Sequence, residues 1–423
     1  MSTYDVAVVG RGAIGSAAAL AFARAGRRVA LVGPPSPAGG GPAAARLPHP
    51  AAAADDWDQR VYALSPASRA LLAELGVWQL LDPGRVAPVH DMRIFQQGAG
   101  TPGKSPPEVH LEAYEGRVEA LAWIIENRRL QAALDLAIAA LPSPAKLVRV
   151  DAEVEGLLLP LTPQDQTPAT LVFAGGGKLS ADLVVGADGT TSRLRSLAGI
   201  EHRVRDYRQT AIVANFEAER SHRDCAWQWF GSFGVVALLP LSGGNLQHGR
   251  SRVSLVWSAA SEEAASALRQ PGELPALVQS MTLNRLGALH PITPPAAFVL
   301  RAVQCRQVIK PSFVLIGDAA HAIHPMAGQG MNLGFGDVRG LIDHLMSPSG
   351  TSRAPVRPPD WFELRRYERS RREPVVAMQL ALEGLHRAFG KIPVPLAGLR
   401  DLGWSIVAGS SWLRRRMIEH AVS

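Results

Sequence analysis

Cysteine is almost absent from this chain of 423 residues: Cys225 and Cys305 are its only two. Two distant thiols exclude a disulfide framework and lack the close spacing of a zinc site, so no metal is expected and a reduced, cytoplasmic setting fits. Long apolar runs are missing too. No stretch of about 18 apolar residues occurs, so no transmembrane helix is expected. The N-terminus enters a strand pattern at once, without the features of a secretory leader. Lysine is also scarce, supplying five of the 44 basic residues. No basic run is interleaved with stacking aromatics, as a single-strand groove requires, so the net charge of +7 does not point to nucleic acid. The abundance of Ala, Gly, Pro and Arg fits a compositional bias instead.

What is present is ample apolar material, 47% of the chain, and a length that suggests two or three domains. Charge is uneven. Residues 361–423 hold 11 Lys/Arg against 6 Asp/Glu, a basic C-terminal region suited to an anionic membrane surface or an acidic partner. The plainer reading of those charges is a solvated helix face.

Four stretches rich in Pro, Gly and Ala read as surface loops: 33–55, 97–108, 160–169 and 347–359. Between them, YDVAVVG reads as an apolar strand and AIGSAAALAFARAG as a small-residue helix closed by Gly26. SPASRALLAELGVWQLL reads as a helix capped by Ser65 with Pro66 in its first turn. TAIVANFEA, CAWQWFG, VVALLPL and RVSLVWS are strand-like, and FVLIGDAAHAI reads as strand, turn, helix. After Pro374, residues Val375, Met378, Leu382, Leu385 and Phe389 fall on one helical face. Nucleotide-binding pieces thus recur at the start, near 188 and near 318, with a β-rich segment between the last two.

Gly10, Gly12 and Gly15 follow a strand and open a helix. The first allows a tight turn, the second lets backbone approach a pyrophosphate, and the third lets helix and strand pack closely. The helix start adds free N–H groups and partial positive charge. One element departs from the pattern. The second strand, VALVG, ends in Gly33 where an acid would hold the adenosine ribose, and losing such a charge-assisted contact costs roughly 1.5–3 kcal/mol. Asp55, Asp56 and Asp58 follow and are all candidates to replace it; if FAD binding is weak but saturable, Gly33→Glu is expected to restore affinity, whereas tight binding would show the loss compensated elsewhere.

DLVVGADGTTSRLR, residues 182–195, is an apolar strand running to Asp188 and Gly189, with Ser192 and Arg195 beyond. FVLIGDAAHAIHPMAGQGMNLGFGD, residues 313–337, brings a strand to Asp318, and Gly328, Gln329, Gly330, Met331 and Asn332 then open a helix whose N–H groups suit a polar ring edge. His321 and His324 sit at a strand-to-helix turn, which favours a structural over a catalytic role. Trp227, Trp229 and Phe230 fit a substrate pocket and a β-sheet core equally well.

In this order the three motifs resemble the flavin-dependent aromatic hydroxylases of the p-hydroxybenzoate hydroxylase class, and within it the ubiquinone-biosynthesis hydroxylases. HPMAGQGMNLGFGD is similar to that family's signature, with Met326 at a usually branched aliphatic position. DQRVYALSPASRALLAELGVW, YRQTAIVANF, ALLPL, VSLVWS and LRRYERSRREP extend the likeness over nearly the whole chain.

The resemblance implies an α/β fold: a Rossmann-like FAD-binding domain (residues 1–75, 116–202 and 301–347) interrupted by a β-sheet substrate domain (76–115 and 203–300), with a helical C-terminal region (360–423). It implies that Gly10, Gly12, Ile14 and Gly15 carry the FAD pyrophosphate. Asp188 and Gly189 would lie near it and take part in nicotinamide-cofactor handling. Asp318 would bind the ribityl chain, Pro325 and Gly328 to Asn332 would line the isoalloxazine, and Arg60 and Arg128 would contact the cofactor. No side chain need be a nucleophile: a hydroperoxide on the reduced flavin would attack an electron-rich ring, with electrons from NAD(P)H or a separate reductase and O2 as co-substrate. The implied substrate is a polyprenylated phenol of ubiquinone biosynthesis. Because it lives in the membrane, the basic C-terminal region becomes a candidate for peripheral docking at the inner membrane face or for quinone-synthesis partner proteins. Rival readings are a hydroxylase of soluble phenols, a flavin reductase of prenyl double bonds, and a non-catalytic flavoprotein scaffold in a quinone-synthesis complex.

Overall fold

A computed structural model describes residues 4–34, 56–96, 108–143, 146–165, 167–244, 249–323, 329–346 and 360–389. The expected loops at 33–55, 97–108 and 347–359 lie outside these residues except at their ends. Within them, 160–169 is irregular up to the strand Ala169–Phe173.

The fold is α/β. Strands β1 (Tyr4–Val9) and β2 (Val29–Gly33) are apolar along almost their whole length, as a parallel sheet covered on both faces demands. Helix α1 (Ala13–Arg24) joins them and buries ten of its twelve residues, mostly Ala, so it lies close on the sheet. Its end is the expected glycine cap. Gly26 adopts φ +87°, and Arg27 N–H and Gly26 N–H donate back to the Phe22 and Ala23 carbonyls at 3.0 Å. Parallel partners flank this unit. Lys178–Gly186 pairs with β1, Phe313–Leu315 pairs with Lys178–Gly186, and Leu147–Asp151 pairs with β2. Three strands far apart in sequence therefore stand side by side, ending at the same edge.

A second, nine-stranded sheet contains the long strand His202–Ala218, flanked by Ser251–Ala260 and Ala296–Cys305. Gly234–Leu241, Cys225–Gly231, Asp91–Gln96 and Glu108–Glu112 continue it outward. Val61–Leu64, Ala122–Glu126 and Ala87–Val89 form a third, small sheet.

Three local expectations change. The helix starting after Ser65, which accepts from Ser68 N–H at 3.3 Å, runs only from Pro66 to Glu74. Gly76, at φ +66°, closes it, and Trp78–Leu80 forms a separate single turn. Residues 317–322 do not continue into a helix. Gly317, at φ +57°, opens a turn over Gly317–Ala319, and His321–Ala322 then joins the edge of the large sheet against Val303 and Gln304. The C-terminal helix Trp361–Phe389 runs through Pro374 rather than starting after it. Leu364 and Tyr367 (each 1% exposed) and Val375 (8%) pack inward, and that burial outweighs one missing backbone bond. The side chains of Leu382, Leu385 and Phe389 lie outside the described residues. Among the described residues no helix is long and apolar enough to cross a membrane.

Candidate active site

The glycine turn comes first. Gly10 N–H donates to Val32 O at 2.9 Å, tying the end of β1 to β2. A side chain is impossible at two of the three glycines. A β-carbon on Gly10 would lie 2.2 Å from Ala187 O, and one on Gly15 would lie 2.0 Å from Gly10 O. Gly12 is different, because a β-carbon there would meet nothing within 4 Å. The first helical bond of α1 is Ser16 N–H to Gly12 O, and no side chain caps this end. The N–H groups of Ala13, Ile14 and Gly15 therefore lack intrahelical acceptors, as a pyrophosphate cradle requires. The Ile14 side chain points elsewhere, into the contact between α1, Gly317 and Gly334.

The second motif folds on itself. Asp188 lies just past the strand end, where its carboxylate accepts from Ser192 Oγ at 2.5 Å and Leu194 N–H at 3.0 Å. Gly189, at φ +82°, turns the chain. Arg195 is 3% exposed. It donates to Thr190 O and Ala319 O, both at 2.9 Å, so one guanidinium fastens the Asp188 loop to the third motif. Its helix turn, Arg193–Leu197, carries two arginines and a serine, so nothing in the sequence singled Arg195 out.

In the third motif Asp318 sits within the Gly317–Ala319 turn, beyond the end of the strand. Burial raises its pKa, against the opposing charges of His321 and Arg60. Its carboxylate faces the start of the helix Gly330–Leu345: a β-carbon on Gly330 would lie 4.0 Å from Asp318 Oδ1. Leu333 N–H makes the first bond of that helix, to Gln329 O, which leaves the N–H groups of Gly330, Met331 and Asn332 without intrahelical acceptors. The Asn332 side chain is engaged. Its amide oxygen accepts from Ser65 N–H at 2.9 Å and Ser68 Oγ at 2.8 Å, and its amide nitrogen donates to Ala63 O and Gln329 Oε1. Met331 packs against the main core. His324, Pro325, Met326 and Gly328 lie outside the described residues.

Arg60 is exposed between the rings of Tyr62 and Phe298, at 5.3 and 5.6 Å. Arg128 pairs with Asp56 at 2.9 Å and Asp58 at 3.7 Å. Two of the three acids considered for the ribose are thus tied to Arg128, and Asp55 lies outside the described residues.

His321 is structural. Its Nε2 lies 2.7 Å from Asp337 Oδ2, in a buried cluster where Asp337 also accepts from Gly317 N–H and Arg371 Nε at 2.9 Å. Burial alone would lower the His321 pKa, but the charge and hydrogen bond of Asp337 outweigh it and raise it. Burial likewise opposes ionisation of Asp337, yet His321 and Arg371 hold its pKa below the ordinary value.

The pleat divides the aromatic trio. Trp227 and Trp229 stack with Phe95 at 6.0 and 5.5 Å and belong to the core beneath Leu274, Val278 and Met281. Phe230 lies on the opposite face with Ile94, Val235, Ile323 and Met378, beside the third motif. Burial pushes the Cys225 thiol up to about 12 and the Cys305 thiol to about 11, so neither is a nucleophile at neutral pH. Asp91, His110 and Glu112 form one group of metal-ligand type at the far end of the large sheet, where the imidazole is paired with both acids.

Three nucleotide-type turns at one edge of a parallel sheet, beside an apolar face of a second sheet, define a dinucleotide-dependent enzyme. Residues 145–359 match the family model described as FAD binding domain. The ubiquinone hydroxylase UbiL of Rhodospirillum rubrum is 32% identical over 99% of this chain and 89% of its own. The 3-demethoxyubiquinol 3-hydroxylase of Escherichia coli is 31% identical over 99% and 98%. The mitochondrial ubiquinone biosynthesis monooxygenase COQ6 of Mus musculus is 28% identical over 99% and 91%. Among solved structures, p-nitrophenol 4-monooxygenase PnpA from Pseudomonas putida shares the fold, with a TM-score of 0.70 at 15% identity over 100% of this chain and 98% of that one. HpxO of Klebsiella pneumoniae, complexed with FAD and uric acid, does so with a TM-score of 0.68 at 16% identity over 99% and 97%. The chain belongs to the FAD-dependent hydroxylases of ubiquinone biosynthesis; it is a flavoprotein monooxygenase.

Proposed function

We propose that this protein hydroxylates the aromatic ring of a polyprenylated phenol, an intermediate of ubiquinone biosynthesis. The observation that carries the reading is the meeting of the glycine turn, the Asp188 loop and the Asp318 turn at the ends of three adjacent parallel strands. FAD, when bound, would supply the activation of O2, with electrons from NAD(P)H or a separate reductase. The chain holds, orients and shields. Backbone N–H groups from Gly12 to Gly15 take the pyrophosphate, with Asp188 and Gly189 shaping the loop beside it. Asp318 accepts from the ribityl hydroxyls, with the Arg60 charge nearby. The N–H groups of Gly330, Met331 and Asn332, which lack intrahelical acceptors, would donate to the polar edge of the isoalloxazine. Arg128 orders the segment leading to Arg60 through Asp56 and Asp58. Phe230, Ile94, Val235, Ile323 and Met378 offer the phenol ring a dry apolar wall that keeps water from the reacting atoms.

Oxygen uptake and product mass, with the FAD-loaded protein, a reductant and a polyprenylphenol, test this reading. The expected product is one oxygen heavier than the substrate. Turnover confined to short, non-prenylated phenols would move the protein to soluble aromatics, and turnover without oxygen would make it a reductase. The basic C-terminal region is assigned to peripheral docking on an anionic membrane. Equal liposome binding by the full chain and by a form lacking residues 396–423 would remove that role.

A further inference from the structure

Gly33 ends β2 at the point where dinucleotide sites ordinarily present a carboxylate to the ribose. The place is not empty. A β-carbon on Gly33 would lie 2.9 Å from Arg11 Cγ, 3.0 Å from Cδ and 3.2 Å from Nε. Arg11, the residue between the first two glycines of the turn, therefore fills the volume that an acid at 33 would need. Its guanidinium is anchored on both sides: Nη1 donates to Pro34 O at 3.2 Å, and Nη2 lies 2.5 Å from Asp151 Oδ1. Asp151 ends the neighbouring strand and is the direct cross-strand partner of Gly33. Arg11 is mostly buried, at 17% exposure; its Nε and Nη2 make no hydrogen bond, so the contact to Asp151 is an ion pair, and the Asp151 side chain is 65% exposed. A fixed cation thus holds a largely exposed carboxylate one strand away from the usual position, and among the described residues no hydrogen bond is made to its second oxygen.

We propose that the Arg11–Asp151 pair is the adenosine-ribose subsite of the FAD site: Asp151 accepts the ribose hydroxyls and Arg11 holds it in place. The proposal rests on assigning the glycine turn to the FAD pyrophosphate. It also changes the outlook for Gly33→Glu. A glutamate there collides with Arg11, so the single substitution does not recover affinity while Arg11 remains.

The test is titration of the apoprotein with FAD and, separately, with riboflavin, which lacks the adenosine. Asp151→Asn is expected to weaken FAD binding about tenfold or more and leave riboflavin binding unchanged. Gly33→Glu alone is expected to weaken FAD binding, and Arg11→Ala/Gly33→Glu to bind it more tightly than Arg11→Ala. Unchanged FAD affinity in Asp151→Asn, or an equal loss of FAD and riboflavin, would overturn the subsite. Failure of the unsubstituted protein to bind FAD would instead overturn the pyrophosphate assignment beneath it.

Discussion

His321 and Asp337 form a buried ion pair, Nε2 to Oδ2 at 2.7 Å, that holds the Gly317–Ala319 turn against the helix Gly330–Leu345. Removing one charge strands the other, at a cost of about 3–5 kcal/mol. Asp337→Asn should therefore destabilise the apoprotein by that order, measured by urea unfolding. The pH dependence has a definite sign. The raised His321 pKa gives stability fully present below the ordinary histidine value of 6.5 and lost as pH rises through the folded value. The lowered Asp337 pKa gives stability present above the ordinary value of 3.8 and lost as pH falls through the folded value. The unfolding midpoint of the unsubstituted protein should fall on the alkaline side more steeply than that of Asp337→Asn; parallel curves would deny the pair this role.

The three turn glycines should separate by phenotype. Gly15→Ala drives a β-carbon to within 2.0 Å of Gly10 O and should impair folding itself. Gly12→Ala meets no protein atom, so the apoprotein should lose no more than about 1 kcal/mol while FAD affinity drops. Thermal melts of the apoproteins beside flavin titrations check both. A Gly12→Ala protein with full FAD affinity would place the pyrophosphate elsewhere.

Asp318 is held in a turn where burial raises its pKa. Its ionised form is therefore lost at a higher pH than for a free carboxylate. FAD affinity should fall on acidification before ordinary carboxylates titrate. Asp318→Asn should show about 10- to 100-fold weaker binding at neutral pH and remove that acid limb. Titrations of flavin fluorescence across pH decide it.

Arg195 connects the second and third motifs through Thr190 O and Ala319 O. Arg195→Ala leaves two carbonyls and a cavity behind and should cost about 2–4 kcal/mol. Arg195→Lys, which reaches fewer acceptors, should recover only part of it by urea unfolding. Equal stability of Arg195→Ala and the unsubstituted protein would show that the two loops are held by other means.

Phe230 and Trp229 are neighbours in sequence and opposites in expected effect. Trp229→Ala opens the core beneath the large sheet and should lose about 3–5 kcal/mol of stability. Phe230→Leu keeps most of the apolar volume and should act on the substrate, raising KM for a polyprenylphenol more than it lowers the unfolding midpoint. Steady-state kinetics beside unfolding curves separate the two.

Much of this was legible from the sequence because it depends on neighbours along the chain. Apolar runs marked β1, β2 and Lys178–Gly186, strand-like runs marked several strands of the large sheet, and glycine spacing marked the turn after β1. The Ser65 and Gly26 caps required only local backbone geometry. Periodicity alone misplaced boundaries where packing overrode it, at Gly76, at the His321–Ala322 strand and through Pro374. Other features depended on partners far away. Strand order brought residues 10, 188 and 318 to one edge, and the pleat sent Trp229 inward and Phe230 toward the third motif. The question raised by Gly33 belongs to this second kind. A glycine in the sequence records only a missing side chain. Long-range packing decided that Arg11 fills the space and that Asp151, on an adjacent strand more than a hundred residues away, stands beside it.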